Sequence, residues 1–276
     1  MEKSAVYILS PPPDAGPRHF VRRATATLRP ATRFFPQDKN LSPEIHFPLQ
    51  TVFAPDRPPF PRFVNRFDSR EILLVVDGSC LNNGRHANRH EPPRAGCSFT
   101  FKDGPTSDFE TPAPPVTYPY LNRQEVTGSI AFRMEEEGPF GHCMEHTSNR
   151  AKLRAVIAAL QFRPWDAEGW RRVVILTDLE YIVHGATTWL PHWVRRNWRA
   201  RRGGRYSNRD LWEELQNRID ELHERGCEVS FWLVRRGHEE ESLYIAKAKA
   251  AAQLAARSKD PNAQMGRFTK LCGIML

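Results

Sequence analysis

Apolar and polar residues alternate with two different periods along the chain from Glu71 onward. Short apolar runs typical of buried strands occur in EILLVVD, AGCSFTFKDG, TGSIAFRMEEEG, RRVVILTD and CEVSFWLV. Segments with helical spacing follow the last three of these runs, so the predicted order is β-β-β-α-β-α-α-β-α. Three consecutive strands predict an antiparallel meander, and strands that alternate with helices predict parallel pairing. The predicted fold class is α/β, with one mixed five-stranded sheet flanked by helices.

The helix after the third strand contains a residue that does not suit its position. Its apolar residues recur at i, i+3, i+4 and i+7 from Leu153 to Leu160, and either Thr147 or Ser148 can cap it. Lys152 lies in the second turn of this helix. The positive end of the helix dipole is close by, and it favours a carboxylate over a cation.

Three further helices are predicted in the second half of the chain. EYIVHGATTWLPHWVRRNWRARRGG has a helical pattern that Pro191 interrupts. NRDLWEELQNRIDELHERG is strongly amphipathic and ends at Gly226, which is typical of a helix stop. EEESLYIAKAKAAAQLAAR follows the last strand and forms the final helix.

Residues 1–70 have a different composition from the rest of the chain. They contain 12 of the 23 prolines, and proline disfavours long helices and central strands. We predict an extended, largely disordered basic arm here, with phenylalanines that dock parts of it onto the domain. The predicted domain spans residues 71–257, and residues 258–276 are predicted to be a C-terminal tail.

Charge and cysteine content restrict the class of protein. The chain has 40 Lys+Arg against 32 Asp+Glu, and a net charge of +8 favours a polyanionic partner. The five cysteines are scattered without a C-x-x-C spacing, which disfavours a zinc site or a disulfide framework and indicates a reducing compartment. No apolar run is long enough for a membrane span. We expect an intracellular protein, cytoplasmic or nuclear, with a mitochondrial location left open.

Two of the predicted strands end in an aspartate. Asp77 follows EILLVV and Asp178 follows RRVVILT. Either residue alone is explained by a turn or a helix cap. Because function gathers at the carboxyl ends of strands in open α/β sheets, the two together suggest a carboxylate cluster that holds a divalent metal for phosphodiester chemistry.

Five collinear blocks resemble a type 1 ribonuclease H domain, most closely the fungal branch, over residues 71–257. The blocks are DGSCLNNG, TSNRAKLRAVIAAL, TDLEYIVHGATTW with WVRRNW, NRDLWEEL, and FWLVRRGHEEESLYIAKAKAAA. The resemblance implies the ribonuclease H fold, a five-stranded mixed sheet flanked by helices. It also implies binding of RNA–DNA hybrid and hydrolysis of the RNA strand with two Mg²⁺ or Mn²⁺ ions.

The resemblance places four metal-binding carboxylates of the family, and this chain retains two of them. Asp77 and Asp178 match the first and third positions. Lys152 stands where the family pattern has glutamate, and Leu243 stands where it has aspartate. The resemblance therefore implies a degenerate site with weak or absent metal binding. Glu240, one turn before Leu243, is a possible replacement ligand, although acids at that place also stabilise the start of a helix.

Residues that hold the substrate in the family are better retained. Asn83, Ser148 and Asn149 match positions that contact the hybrid. Residues 192–209 contain seven arginines, no acid, two tryptophans and a tyrosine, where many members carry a basic protrusion. We predict phosphate contacts and base stacking from this segment; the alternative is a solvated face with its tryptophans packed inward. The predicted phosphate-binding residues are Arg195, Arg196, Arg199 and Arg202.

Three functions are consistent with this pattern. The first is a catalytically degenerate ribonuclease H-like protein that binds RNA–DNA hybrid or duplex. The second is an active hybrid endoribonuclease with a rearranged metal site. The third is an inert scaffold whose proline-rich arm binds a protein partner. We expect a monomer that does not bind membranes. We also expect the Nζ atom of Lys152 to lie at ion-pair distance from Asp77 or Asp178.

Overall fold

The computed structural model describes residues 29–54, 57–83, 91–102, 128–199, 204, 206–234, 242–259 and 266–271. The strands in these residues are β1 (Thr32–Arg33), β2 (Leu49–Ala54), β3 (Arg57–Phe63), β4 (Glu71–Leu81), β5 (Arg94–Thr100), β6 (Ser129–Arg133), β7 (Arg172–Thr177) and β8 (Glu228–Leu233). The helices are α1 (Pro43–His46), α2 (Ser148–Phe162), α3 (Glu180–His184), α4 (Leu190–Arg195), α5 (Arg209–Glu224) and α6 (Leu243–Arg257).

Six strands form one mixed sheet in the order β1-β8-β7-β4-β5-β6. β4, β5 and β6 pair in antiparallel fashion, whereas β4, β7 and β8 pair in parallel. This confirms the predicted mixed α/β sheet and the order of its elements. The predicted count of five strands is low by one because β1 also pairs with β8, in parallel. β1 has only two residues and no apolar run, so the hydrophobic pattern could not reveal it.

Strand β4 lies at the centre of the sheet and contributes to a hydrophobic core on each face. Ile72 and Leu74 belong to the core that contains the apolar residues of α2 and α5. Leu73 and Val75 belong to the second core, which α6 covers. This alternation follows from the opposite directions of successive side chains in a strand. It also explains why EILLVV reads as a continuous apolar run, as expected for a strand that is buried on both faces.

The expectation of a largely disordered arm is wrong for residues 29–54 and 57–70. Phe34, Phe47 and Phe63 are buried in the second core together with Trp232 and Tyr244. The prediction that phenylalanines dock this segment onto the domain is confirmed. The proline content predicted disorder because prolines disfavour regular helices and strands. The burial of aromatic side chains nevertheless stabilises this segment against the domain. Residues 1–28 lie outside the described residues.

The prolines of this segment occupy the kind of strand that tolerates them. β2 and β3 form a separate two-stranded antiparallel sheet, in which Thr51 is opposite Pro61. A proline lacks the backbone N–H group, so it cannot donate to a neighbouring strand, and a central strand has a neighbour on both sides. In a two-stranded sheet each strand has a free edge, so β3 can contain three prolines.

The predicted interruption near Pro191 is present as a π-helical turn, Gly185–Trp189, between α3 and α4. The backbone N–H of Leu190 donates to the carbonyl of Gly185, which is an i to i−5 bond. Pro191 then lies in the first turn of α4, where a backbone N–H group would have no carbonyl partner within the helix, so its absence breaks no hydrogen bond. The break therefore precedes the proline.

Part of the predicted C-terminal tail packs on the domain. The carbonyl of Gly266 accepts from Glu137 N–H, the carbonyl of Thr269 accepts from Arg154 at 2.7 Å, and Leu271 is buried in the first core. Residues 266–271 therefore belong to the folded structure. Among the helices of the described residues, none has the length and apolar character needed to cross a membrane.

Candidate active site

The pairing of β4 with β7 brings Asp77 and Asp178 to the same level of the sheet. Val75 is the partner of Leu176 in this parallel pair, and each aspartate follows two residues after its paired neighbour. Asp178 directly follows β7, as the sequence predicted. Asp77 lies inside β4, which continues to Leu81 alongside β5, so the prediction that a strand ends at Asp77 is wrong. The two acids still meet where the pairing of β4 with β7 stops.

Helix α2 places Lys152 directly above this edge. Gly78, the residue after Asp77, lies against the α2 backbone, and a Cβ atom there would be 2.5 Å from the carbonyl carbon of Ala151. A residue with a side chain at position 78 would push the helix away from the strand. Glycine thus allows the close approach that brings the second turn of α2 over Asp77.

Lys152 forms ion pairs with both aspartates. Its Nζ atom contacts Oδ1 of Asp77 and Oδ1 of Asp178, and the three side chains are only 4–6% exposed. The predicted ion pair is confirmed, and it involves both acids at once. The cluster carries two carboxylates and one ammonium, so most of the repulsion between the acids is offset.

The pKa of Asp77 lies above its ordinary value. Burial is the largest cause of the increase, and the neighbouring Asp178 adds to it. The ion pair and hydrogen bond from Lys152 act in the opposite direction. The lysine therefore favours the ionised form of an acid that its surroundings disfavour.

The donor set at this edge does not fit a divalent ion. In the part of the chain that the structure describes, no group of three or more His, Cys, Asp or Glu side chains could hold a metal. Mg²⁺ or Mn²⁺ would have to displace an ammonium that already contacts both Asp77 and Asp178. Glu240, the predicted replacement ligand, lies outside the described residues.

Leu243, the fourth family position, starts helix α6 and is 67% exposed. An acid does approach the beginning of this helix, but it comes from the N-terminal segment. Oε1 of Glu44 accepts from Ser242 Oγ at 2.5 Å and from Tyr244 N–H at 3.1 Å. Sequence reasoning missed Glu44, because no local pattern links residues that are 198 and 200 positions apart.

The ionisation of Glu44 supports this capping role. Burial alone would raise its pKa, but hydrogen bonds from Ser242 and from backbone N–H groups, including that of Tyr244, leave the pKa below its ordinary value. A carboxylate at the start of a helix also interacts favourably with the helix dipole. The N-terminal segment is thus tied to α6 by an ionised group.

The predicted substrate-holding residues lie at the end of β4 and in the first turn of α2. Asn83 is exposed just after β4, and Asn149 is exposed in the first turn of α2. Ser148 is half-buried beside it, while Thr147 caps the helix by accepting from Arg150 N–H at 3.1 Å. Cys80 Sγ in β4 donates to the carbonyl of His146 at 3.5 Å, so the end of β4 and the start of α2 are adjacent.

Residues 192–199 present arginines outward and aromatic rings inward. Arg195, Arg196 and Arg199 are exposed, and Arg202 lies outside the described residues. The centroid of the Trp193 ring is 5.8 Å from that of Trp198.

These rings belong to an aromatic cluster that rests on the core. Trp193 lies 4.8 Å from Tyr206 and 5.8 Å from the fully buried Trp212 between ring centroids. Arg209 lies over the Trp198 ring at 5.2 Å. The rings of Trp193 and Trp198 therefore lie beneath the basic surface. This packing favours the alternative of inward-facing tryptophans over the predicted base stacking.

Comparisons with known proteins agree with the class that the fold and site define, an α/β domain of the ribonuclease H type. The family model for RNase H matches residues 120–239. A ribonuclease H of Rickettsia bellii is 34% identical over 116 residues, which cover 41% of this chain and 67% of the relative. A ribonuclease H of Cyanothece sp. is 39% identical over 92 residues, which cover 33% of this chain and 53% of the relative.

The chain belongs to the ribonuclease H family. It spans about half the length of curated relatives such as the Cyanothece protein, with 53% covered, and the Xanthomonas oryzae pv. oryzae ribonuclease H, with 50%. Among solved structures, LC9-RNase H1 is 28% identical with a TM-score of 0.40, covering 67% of this chain and 72% of that chain. The PFV RNase H domain is 16% identical with a TM-score of 0.41, covering 67% and 90%. Family membership rests on the sequence matches.

Proposed function

We propose that this chain is a nucleic-acid-binding protein of the ribonuclease H family, of the type 1 fungal branch, in which an ion-paired lysine has replaced the hydrolytic metal site. One observation carries the proposal: the ammonium of Lys152 contacts both Asp77 and Asp178. A lysine side chain thus lies between the two acids, and an ammonium does not activate water as a divalent metal ion does.

The chemistry of the family reaction supports the loss of hydrolysis. When bound, two divalent ions stabilise the attacking and leaving oxygens of the phosphodiester, and they need several carboxylates to hold them. Here Lys152 competes with any such ion for two acids, and Leu243 offers an exposed apolar side chain in place of a third. Metal affinity should therefore fail before any chemical step.

The retained surface supports binding of RNA–DNA hybrid or duplex. Ser148 and Asn149 lie about one turn of α2 before Lys152, and Asn83 follows the end of β4. The basic segment adds Arg195, Arg196 and Arg199, and Arg202 follows them in the sequence. Arginines that project from a rigid aromatic base suit contacts with phosphates, which carry affinity without reading sequence.

Cleavage of a labelled RNA–DNA hybrid in the presence of Mg²⁺ or Mn²⁺ tests the proposal. We expect no cleavage by the wild-type protein and measurable binding of the hybrid. Lys152→Glu and Leu243→Asp each restore one acid, and the two changes together should be strongly non-additive because the ligands act as one unit.

Two outcomes would contradict the proposal. If the wild-type protein cleaves hybrid and Asp77→Asn abolishes the cleavage, the site is active and a replacement ligand such as Glu240 must be sought. If the wild-type protein neither cleaves nor binds hybrid or duplex, the domain is an inert scaffold. An Asp77→Asn variant of the double mutant controls for contaminating nuclease.

A further inference from the structure

Strand β2 has an open edge. Its sheet contains only β2 and β3, so among the described residues no strand pairs with the second side of β2. The sequence of β2, LQTVFA, has no charged residue and no proline. Charges, prolines or a covering element usually protect such edges, because unpaired N–H and C=O groups attract another strand. β2 lacks the protection that charge or proline would give.

One hydrogen bond sets the alternation of β2 against β3. The N–H of Val64 donates to the carbonyl of Pro48 at 3.1 Å. Hydrogen-bonded and non-hydrogen-bonded pairs alternate along an antiparallel ladder. Gln50 and Val52 therefore form the next hydrogen-bonded pairs with β3.

The residues between these pairs direct their backbone groups to the open side. Leu49, Thr51 and Phe53 each offer one N–H and one C=O group there. The sequence of β3 agrees with this assignment, because Pro61, which has no N–H, stands opposite Thr51 in a pair that needs no bond. The register shift near the end of the ladder adds its extra residue to β3, so β2 itself stays regular.

The same residues form an exposed, largely apolar face. Successive side chains of a strand point to opposite faces, and Val52 packs against the first core. Leu49 is 44% exposed and Phe53 is 79% exposed. Thr51 lies between them and is also exposed. The open edge and the apolar face therefore coincide in residues 49–53.

The spacing of these residues makes β2 complementary to itself. If two copies of the strand pair in antiparallel fashion about Thr51, Leu49 of each copy lies opposite Phe53 of the other, and Thr51 lies opposite Thr51. The three outward N–H groups of each copy then meet outward carbonyls, which gives six hydrogen bonds. Apolar and threonine cross-strand pairs stabilise antiparallel strands, and no like charges meet.

We propose that β2 mediates a symmetric dimer of this chain, by antiparallel pairing of residues 49–53 centred on Thr51. A twofold axis at Thr51 joins the two small sheets into one sheet with the strand order β3-β2-β2-β3. The contact is small, in the size range of weak and transient interfaces, so the protein stays monomeric at low concentration. The dimer differs from the monomer expected from the sequence, and it does not depend on the nucleic-acid binding proposed above.

Sedimentation equilibrium of the full-length protein over a range of concentrations measures the association. We expect the mean mass to rise from that of a monomer towards that of a dimer. Thr51→Pro should abolish this rise, because it removes the central outward N–H and breaks no bond to β3. Thr51→Val keeps that N–H and the shape of the side chain, so this variant should still dimerise.

Opposite charges at position 51 test the register of the pairing. The two copies of residue 51 face each other in the proposed dimer, so Thr51→Lys and Thr51→Glu should each remain monomeric. An equimolar mixture of the two variants should dimerise, because each pair then joins opposite charges. Ser69→Lys adds the same charge at an exposed position outside β2 and should leave dimerisation intact.

Amide hydrogen exchange gives a second measurement that is independent of mass. The amides of Gln50 and Val52 should be protected at every concentration, since they bond to β3. The amides of Leu49, Thr51 and Phe53 should gain protection only as the concentration rises. If Thr51→Pro loses the protection of Gln50, the hairpin has opened in that variant, and the mixture of Thr51→Lys and Thr51→Glu decides.

Three results would overturn the proposal. They are a wild-type protein that is monomeric at all concentrations, dimers that persist in Thr51→Pro, and a mixture of Thr51→Lys and Thr51→Glu that stays monomeric. If the wild type is monomeric but an added peptide of sequence LQTVFA protects its outward amides, the edge binds an extended peptide in place of a second copy.

Discussion

At the scale of single residues, Lys152 forms ion pairs with two acids whose side chains are buried. Replacing it with methionine keeps most of the side chain but leaves Asp77 and Asp178 without their shared cation. Removing one partner of a buried ion pair typically costs about 3–5 kcal/mol, so we expect Lys152→Met to lower the free energy of unfolding by that order near neutral pH. Denaturant unfolding measures the loss, and the exposed Lys39→Met should change stability by less than about 0.5 kcal/mol.

The pH dependence of that loss distinguishes charge from packing. Without Lys152, burial and Asp178 should raise the pKa of Asp77 further above its ordinary value. A carboxyl group with a higher pKa in the folded than in the unfolded state favours folding at low pH. The stability gap between Lys152→Met and wild type should therefore shrink as the pH falls below neutral. A constant gap would indicate that lost packing is responsible.

A buried histidine should make the wild-type protein sensitive to acid. Nδ1 of His146 accepts from Ala95 N–H at 3.3 Å and its Nε2 lies 3.1 Å from the carbonyl of Glu135, so the ring is neutral. Burial is the largest cause that lowers its pKa. Because the pKa of His146 is lower in the folded protein than in the unfolded chain, acid protonates the unfolded chain first. The free energy of unfolding should therefore fall as the pH drops below the unfolded pKa of about 6.5.

Substitution of this histidine tests the prediction. His146→Gln removes the titrating group, so the unfolding free energy of the variant should change less with pH below neutral than that of the wild type. His142→Gln serves as the control, because His142 is exposed and should leave the pH dependence unchanged. Identical pH profiles for His146→Gln and wild type would exclude His146 as the cause.

The residues of the candidate site differ in how far the sequence could predict them. Asp178 follows β7 and Asp77 lies in the parallel neighbour β4 just beyond their last paired residues, so the order of elements brings the two acids together. The position of Lys152 near the start of a helix then predicts its contact with them. Glu44 depends on contacts between distant segments, which no local period encodes.

At the scale of elements, the basic segment before α5 should determine the salt dependence of nucleic-acid binding. Neutralising Arg195, Arg196, Arg199 and Arg202 together with glutamine should flatten the plot of log K against log salt, by about 0.9 for each lost duplex contact. A filter-binding or anisotropy titration over several salt concentrations measures the slope.

A matched variant separates local contacts from overall charge. Four arginines that are exposed elsewhere can be replaced by glutamine with the same change in net charge: Arg66, Arg70, Arg225 and Arg257. This control should keep the wild-type slope. Equal slopes for the two quadruple variants would show that the binding surface does not include residues 195–202.

The same segment shows which features of a helix can be predicted from its sequence and which cannot. The helical pattern and its interruption were predictable from apolar spacing and Pro191. The direction in which the tryptophans face was not predictable from sequence. A ring that packs on Trp212 and a ring that stacks on a nucleic-acid base leave the amino-acid composition the same. Only the tertiary arrangement distinguishes a structural aromatic cluster from a stacking surface.

At the scale of the whole molecule, the N-terminal segment contributes aromatic side chains to the second hydrophobic core of the sheet. Helix α6 covers the second face of the sheet only in part, and Phe34, Phe47 and Phe63 fill the remainder against Trp232. A proline-rich composition predicted disorder because it counts helix and strand breakers and gives no weight to buried aromatics. The described part of this segment is therefore integral to the fold.

Two phenylalanines of this segment allow a direct test of that view. Phe47 is fully buried, whereas Phe53 is 79% exposed. Phe47→Ala should lower the free energy of unfolding by about 3–5 kcal/mol, the usual cost of such a cavity, while Phe53→Ala should change it by less than about 0.5 kcal/mol. If the segment were only loosely attached, both variants would unfold at the wild-type denaturant concentration. A large loss for Phe47→Ala alone would show that the described part of this segment is packed into the fold.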